Sequence, residues 1–293
     1  MIFCEAQWRD STKNHLARLE EFVEAHRARR SRNEKHPVHD FLFEYYGFRA
    51  SLLLKWSPGI GVFCEDFSGF KELSFSPDGA FLDVAQFPLH RKAGLLEVLE
   101  ILENTAQRPA FHGCNGLHEW AIVYRETAVR HQTPLRLSAN EIAAFVESQP
   151  IRCSHYDAFR FFTPAARSFN LLNPQAETRA QFEQPGCIHA NMDLYKWAAK
   201  FYPWIGSDLV ADAFELAREA RELDMRAAPY DLRAFGLEPI RLETPEGRRE
   251  YSELQREIAC QAIPVRENLI AAYRGLLNAV EQVSTREVTA GQM

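Results

Sequence analysis

The chain has 293 residues, 46% of them hydrophobic and 25% charged, with a formal net charge of -6. This balance is typical of a globular protein and excludes extended disorder, and the acidic excess excludes a protein that grips nucleic acid through a generally basic surface. The six cysteines show neither CxxC spacing nor the density of a disulfide scaffold, so we expect reduced thiols in a cytoplasmic protein.

No segment has the character of a membrane anchor or a signal peptide. The N-terminal residues MIFCEAQWRD become charged at once, and no apolar run approaches the roughly 18 residues that a span requires. We therefore expect a soluble protein without a membrane partner. The length suits one large core, which predicts a single helical domain over residues 1–285, a small β insert at 57–88 and a flexible tail at 286–293.

The first hundred residues predict a helix, a small β insert and a second helix. Apolar side chains at helical spacing predict an amphipathic helix from Trp8 to about Arg32. The turn SPGIG follows further on, and the run from Leu73 to Val84, with PDG in its middle, predicts a β-hairpin. In KAGLLEVLEILEN the periodicity returns to helix. The predicted fold class is therefore mainly α, a compact helical domain with a small β-hairpin insert.

The stretch PAFHGCNGLHEWAIVYR, residues 109–125, has the pattern of a polar loop that runs into a helix. His112 and Asn115 lie in the loop, and His118 and Glu119 open the helical pattern. A helical zinc-protease motif is excluded, because the second histidine that it needs is absent. The four polar residues indicate either a catalytic loop or an ordinary loop followed by a capped helix.

Two later segments carry a histidine beside an acid. The sequence RCSHYDAFRFFTP reads as an extended strand, on which His155 and Asp157 would point to the same side. They could act as a ligand pair, as an acid/base pair or as a satisfied polar pair. In CIHANMDLYKWAAKFYPW a helix would place His189 and Asp193 at i and i+4 on one face. A metal or a hydrogen-bonded pair fits that spacing, and so does a surface contact.

The remaining helices are predicted from residues that favour the start or the end of a helix. Ser138 to Glu141 has the spacing of a capping box, and Ser207 precedes another helical pattern. The junction ELDMRAAPYDL, which contains Arg226, reads as a salt-bridge knot or as a pocket wall. A long final helix is predicted from Thr244 towards Val283, and Pro264 should kink or divide it.

Taken together, KHPVHDFLFEYY, FHGCNGLHEW, CSHYDAFRFFTPAA, CIHANMDLYKWA and ELDMRAAPYDL resemble a bacterial family labelled 3-methyladenine DNA glycosylase. The resemblance extends from about Lys35 to Arg266. It implies hydrolysis of the N-glycosidic bond to an alkylated purine in DNA, without a cofactor. A flipped base would stack on aromatic rings, a carboxylate would stabilise the oxocarbenium-like sugar, and an activated water would attack.

The resemblance assigns no catalytic residues, so the candidates come from the patterns above. The predicted catalytic residues are Asp157, Glu119, His118, His155 and Asp193. The predicted substrate-binding residues are His112, Asn115, Trp120, Tyr156, Trp197 and Arg226.

A metal-dependent enzyme acting on a small molecule is the competing interpretation. Most of the ten histidines lie near an acid in sequence, which offers material for a 2-His-1-carboxylate or a dinuclear site holding Fe, Mn or Zn. The predicted ligands are His118, Glu119, His155, Asp157, His189 and Asp193. A third interpretation is a non-catalytic protein that binds nucleic acid or another partner. Both enzymatic interpretations require the three histidine segments to meet at one cavity.

Overall fold

The computed structural model describes residues 1–126 and 133–290, with side chains up to residue 285. Helices dominate these ranges, which confirms the mainly α fold class with a small β insert. The helices are α1 (Glu5–Ser31), α2 (Phe41–Tyr45), α3 (Ala50–Leu53), α4 (Lys92–Gln107), α5 (Leu117–Val123), α6 (Ala139–Ser148), α7 (Tyr156–Phe159), α8 (Arg179–Phe182), α9 (Ile188–Lys200), α10 (Ser207–Ala227) and α11 (Pro245–Ala290).

The β insert contributes three of the four strands of a small sheet, which are β1 (Ile2–Phe3), β2 (Phe63–Cys64), β3 (Leu73–Ser76) and β4 (Gly79–Leu82). The strand order is β1-β2-β4-β3, with β1 parallel to β2 and the other pairs antiparallel. The predicted hairpin is β3–β4. The N-terminal strand β1 was not predicted, because two residues are too few to show the alternation of a strand.

Helix α9 forms the centre of the molecule and packs against both α10 and α11. Most of its side chains are buried, including the polar Asn191 and Asp193. A helix that is buried on nearly every side must satisfy its polar groups internally. Asn191 does so by accepting a hydrogen bond from the buried Arg266 of α11 and by donating one to the Pro185 carbonyl at 3.0 Å. The orientation of α9 is therefore fixed by polar contacts as well as by apolar packing.

The turn before α9 is tied to the loop before α5. The side chain of Gln184 accepts a hydrogen bond from the Phe111 amide at 2.8 Å and donates one to the Phe111 carbonyl at 3.0 Å. A Cβ atom at Gly186 would lie 2.7 Å from that same carbonyl oxygen. Only glycine fits this close approach of two backbones, and the approach sets where α9 begins.

Replacement of Gly186 by alanine should lower the free energy of unfolding by about 1–3 kcal/mol, because the new methyl group forces the two backbone segments apart. Gly275 is the matched control, since it lies inside α11 with nothing within 4 Å of its Cβ position. Gly275→Ala should instead raise stability by up to about 1 kcal/mol. Urea unfolding measures both values, and equal effects at the two sites would contradict the close approach at Gly186.

Several local predictions can be compared directly with the structure. Ser138 and Glu141 form the predicted capping box of α6, with reciprocal hydrogen bonds. Pro264 does not divide the last helix, which is continuous across it. Residues 286–290 of the predicted tail belong to that helix, and residues 291–293 lie outside the described ranges. Within residues 1–126 and 133–290, no helix combines the length and the apolar character of a membrane span.

Candidate metal centre

The three histidine segments meet at one cavity. His118 lies in the first turn of α5, His155 directly precedes α7, and His189 lies in the first turn of α9. The ring centroids of His118 and His189 are 4.0 Å apart, and those of His155 and His189 are 5.5 Å apart. The structure therefore brings together side chains that are separated by up to 71 residues in sequence, counting from His118 to His189.

The cavity has a volume of about 260 Å³ and combines aromatic rings with ionisable groups. Its aromatic part comes from Phe41, Tyr45 and Tyr46 at α2 and from Phe161 after α7. Its ionisable part is His118, Glu119, His155, Asp157, His189, Asp193 and Arg221. All six side chains of the predicted ligand set thus line the same cavity.

Residues 152–164 do not form the predicted strand. His155 has an extended backbone and precedes the short helix α7, and its Nδ1 accepts a hydrogen bond from the Ala158 amide at 3.2 Å. A side chain that caps a helix turn in this way competes with extended pairing, and the sequence pattern did not reveal it. The cap fixes the ring so that Nε2 faces the acids of the cavity.

A buried carboxylate on α10 joins His118 and His189. The Asp224 Oδ2 atom lies 3.4 Å from His118 Nε2 and 3.7 Å from His189 Nε2. One ligand atom from each of these three residues lies within 4.8 Å of the other two. Atoms that coordinate one ion at about 2.1 Å lie roughly 3 Å or more apart, so the three groups could hold a metal ion after a small adjustment.

Asp224 was not in the predicted ligand set, although its spacing carried a signal. Val210, Phe214 and Ala217 form the buried apolar stripe of α10, and the same spacing of three or four residues continues to Arg221 and Asp224. Two charged residues that occupy core positions of an amphipathic helix indicate a buried polar site. The sequence of this junction is compatible with a salt-bridge knot and with a pocket wall, and it does not separate the two.

Arg221 neutralises part of the negative charge beside the first histidine. Its Nη1 donates to Glu119 Oε1 at 2.9 Å and to Asp224 Oδ2 at 3.2 Å. Burial opposes protonation of His118, but Asp224 and Glu119 outweigh burial and raise the pKa of His118 to about 9. Burial also opposes ionisation of Glu119, yet His118 and Arg221 lower the pKa of Glu119 to about 2. The negative charges of Glu119 and Asp224 are thus balanced by the positive charges of Arg221 and His118.

His189 stays neutral in this environment. Burial lowers its pKa well below the ordinary value, and the positive charges of His118, His155 and Arg221 lower it further. A neutral imidazole keeps one nitrogen lone pair available. His189 is therefore ready to coordinate an ion without first losing a proton.

A second group of charges lies on the other side of His189. His155 Nε2 is 3.3 Å from Asp193 Oδ2 and 3.7 Å from Glu183 Oε1. Burial lowers the pKa of His155, but Glu183 and Asp193 outweigh it, so the pKa is raised overall. Burial raises the pKa of Glu183 despite the neighbouring cations. Glu183 gave no sequence signal, because it lies in a segment that reads as a loop.

Asp157 and Asp193 share one ammonium group. Lys196 Nζ donates to Asp157 Oδ2 at 2.9 Å and to Asp193 Oδ2 at 3.0 Å. Asp193 Oδ1 accepts a further hydrogen bond from the Tyr46 hydroxyl at 2.9 Å, and Asp157 Oδ2 accepts one from Arg179 at 2.9 Å. Burial opposes ionisation of both acids, but Lys196 is the largest opposing influence and lowers the pKa of each.

Several buried polar atoms of the cavity have no hydrogen-bond partner in the part of the chain that the structure describes. Two belong to residues that line the cavity, His118 Nε2 and Glu119 Oε2, and two to residues beside its histidines, Glu183 Oε1 and Asp224 Oδ1. Leaving such atoms unpaired costs about 1–3 kcal/mol each, and buried polar groups normally find partners. A divalent cation accepts the three carboxylate oxygens as ligands, and it accepts the His118 nitrogen once the imidazolium has lost a proton, so the residues present fit a metal ion.

The six predicted substrate-binding residues lie outside the cavity. The Trp120 indole is fully buried and donates to the Ala227 carbonyl at 2.9 Å, so it belongs to the core. Arg226 points away from the cavity and donates to the Glu238 carbonyl. The other four, which line no part of the cavity either, are His112, Asn115, Tyr156 and Trp197.

The aromatic rings that do line the cavity come from elsewhere. Phe41, Tyr45 and Tyr46 belong to the aromatic-rich segment EKHPVHDFLFEYYGF, whose composition predicts core packing. Their rings contact each other at centroid distances of 4.9 to 6.2 Å. Aromatic density alone could not separate a core from a cavity wall, because both bury the same residue types.

Comparison of the chain with protein-family models, with curated proteins and with solved structures finds no match. The resemblance to the glycosylase family therefore remains a prediction.

Proposed function

We propose that the protein is a metal-dependent enzyme that acts on a small molecule, with His118, His189 and Asp224 as ligands of a divalent cation. The observation that carries the proposal is the approach of these three ligand atoms to within 4.8 Å of one another beside a cavity lined in part by aromatic rings. Two imidazoles and one carboxylate form the ligand set of many non-haem iron enzymes, which leaves coordination positions open for substrate. Manganese and zinc accept the same donor atoms.

The shape and lining of the cavity support a small substrate. Its volume of about 260 Å³ is below the roughly 300–1,000 Å³ of pockets for drug-sized ligands. The rings of Phe41, Tyr45 and Phe161 provide apolar contact area, and the acids and histidines supply polar groups in the same wall. A largely apolar or aromatic molecule with one polar reacting group fits this lining.

The protein residues around the proposed ion have separable roles. The ion, when bound, would polarise a substrate oxygen or support redox chemistry, depending on the metal. Glu119 lies 3.6 Å from His118 Nε2 and is held by Arg221, so it adds negative charge beside the proposed ion while Arg221 limits that charge. Tyr46 lines the cavity with a hydroxyl bound to Asp193, and this pair can hold a proton beside the substrate.

Metal loading tests this proposal. Protein that has been treated with a chelator and then desalted should bind Mn(II), Fe(II) or Zn(II), each added alone, with micromolar or tighter affinity. Thermal unfolding in excess metal should show a matching stabilisation of about 2.7 kcal/mol at one hundred times the dissociation constant. A His90→Ala variant, altered at an exposed histidine, should behave like the wild type. Folded wild-type protein that binds none of the three metals at about 1 mM would contradict the proposal.

A DNA base N-glycosylase is the second candidate. It is favoured by one observation, which is that Tyr45 and Phe161 line the same cavity as the ionised Asp157. A single flipped base could stack on such rings while the carboxylate stabilises the sugar cation. An assay with alkylated duplex DNA distinguishes the two candidate functions. Release of free base by chelator-treated protein, with no release by Asp157→Asn, would support the glycosylase. No release by the wild type, under conditions where a known glycosylase is active, would exclude it.

A further inference from the structure

Two of the acids that line the cavity are already matched by basic groups. Lys196 Nζ lies 2.9 Å from Asp157 Oδ2 and 3.0 Å from Asp193 Oδ2. The Arg179 guanidinium adds a second positive charge, 2.9 Å from Asp157 Oδ2. Glu183, a further acid near this group, is 2% exposed and does not line the cavity. The two basic groups therefore offset the two carboxylates in this part of the wall.

The charges around the proposed ion do not cancel in the same way. His118 and His189 would bind the ion as neutral imidazoles, and Asp224 supplies one negative charge. Glu119 supplies another, which Arg221 offsets through a hydrogen bond of 2.9 Å. Two positive charges on the ion and one on Arg221 thus face one negative charge each on Asp224 and Glu119. One positive charge is left for a ligand to balance.

Aromatic surface is available in the same cavity. The rings of Phe41, Tyr45 and Phe161 line it, together with the apolar side chains of Ile122 and Ala158. The Tyr45 ring lies 4.9 Å from that of Phe41 and 6.5 Å from that of Phe161, measured between centroids. Aromatic rings prefer offset or edge-to-face contacts at such distances, so a further planar ring suits this part of the wall.

Arg221 joins the charged and the aromatic parts of the cavity. Its Cζ atom lies 4.0 Å from the centroid of the Phe41 ring. Its side chain is 4% exposed, and its Nε atom has no hydrogen-bond partner in residues 1–126 and 133–290. The hydrogen bonds to Glu119 and Asp224 both come from Nη1. A carboxylate is the acceptor that a guanidinium binds most strongly, and a carboxylate attached to a ring suits a guanidinium beside aromatic surface.

We propose that the cavity binds a small aromatic carboxylate as its substrate, with a carboxylate oxygen on the proposed ion and the ring against Phe41, Tyr45 and Phe161. This inference rests on the proposed function and names its substrate class. The single negative charge of such a molecule balances the positive charge left at the ion, and its second oxygen is an acceptor for Arg221. A neutral ring compound leaves that charge unbalanced, and a cationic one adds to it.

Three ring compounds of nearly the same shape test the charge. Full-length protein loaded with Mn(II) should bind benzoate at least about 10-fold more tightly than neutral benzamide, and more tightly still than cationic benzamidine. Calorimetric titration measures the three affinities. Benzoate should also lower the water-proton relaxation enhancement of the bound Mn(II), because it displaces water from the ion. Chelator-treated protein should bind benzoate at least about 10-fold more weakly than loaded protein.

Phe161→Ala tests the aromatic contact separately from the ion. This variant should bind benzoate about 2- to 10-fold more weakly than the wild type, with unchanged affinity for Mn(II), because Phe161 is not a proposed ligand of the ion. Phe75→Ala is the matched control, since Phe75 lies on β3 and is 75% exposed. Its affinities for benzoate and for Mn(II) should equal those of the wild type.

The outcomes separate this inference from the proposed function. A wild type that binds Mn(II) but binds benzoate with a dissociation constant above about 1 mM, or binds benzoate and benzamide equally, would overturn the substrate class and leave the metal site standing. Equal loss of benzoate affinity in Phe161→Ala and Phe75→Ala would also overturn it. A folded wild type that binds no Mn(II) would overturn the proposed function and this inference with it.

Discussion

Replacement of His189 by alanine should weaken binding of a divalent cation at the proposed metal site by at least about 100-fold. His189 provides a neutral imidazole at 3.7 Å from Asp224, and loss of a ligand should exceed the 10- to 100-fold cost that removal of an outer partner causes. Alanine suits the interior of α9 because it has the highest helix propensity. Calorimetric titration with Mn(II) measures the affinity, and far-ultraviolet circular dichroism checks that the helices persist.

The His90→Ala variant controls for the loss of a histidine elsewhere on the chain. Its metal affinity should equal that of the wild type, because His90 is exposed and lies outside the cavity. Unchanged affinity in His189→Ala, with the helical signal intact, would show that the ion binds elsewhere and would remove the assignment of His118, His189 and Asp224.

Replacement of Arg221 by methionine should destabilise metal-free protein by about 3–5 kcal/mol. The guanidinium is 4% exposed and is shared between Glu119 and Asp224. Removal of one partner from a buried ion pair leaves an uncompensated charge, which is the source of this cost. Two carboxylates would then face only His118. Denaturant unfolding in the presence of a chelator measures the loss.

The same variant should recover most of its stability when a divalent cation is added, because the cation replaces the missing positive charge. Arg233→Met is the control, since Arg233 forms a surface pair with Asp231 and its side chain is 65% exposed. The free energy of unfolding of Arg233→Met should fall by no more than about 1 kcal/mol, and this change should not depend on metal. An Arg221→Met variant whose instability is the same with and without Mn(II) would argue against a cation at Asp224.

The helices were predictable where local chemistry decides the structure. The apolar spacing located α1 and α4, and the box formed by Ser138 and Glu141 marked the start of α6. These signals lie within a few residues of each other, so the sequence contains them completely. For α9, a helix was the condition under which His189 and Asp193 fall at i and i+4 on one face, and the segment is helical.

Part of the site could be predicted from the sequence. Histidine is a common metal ligand and acid/base group, so His118, His155 and His189 were candidates before their positions in the fold were known. The completion of the site depends on contacts over long sequence distances, such as that between Glu119 and Arg221. Helical periodicity places Arg221 and Asp224 at core positions but does not say what they face. Tertiary packing places Glu183 near His155, and one local hydrogen bond forms the cap at His155. Neither produces a periodic pattern in the sequence.

Helix α9 contributes both to the packing of the core and to the lining of the cavity. Met192 and Leu194 of this helix are completely buried and belong to the main apolar cluster, while His189 and Asp193 face the cavity. A change that repacks the interior therefore also moves the ligands. If the proposed enzymatic function holds, variants of α9 selected for improved turnover will tend to carry an altered unfolding temperature as well.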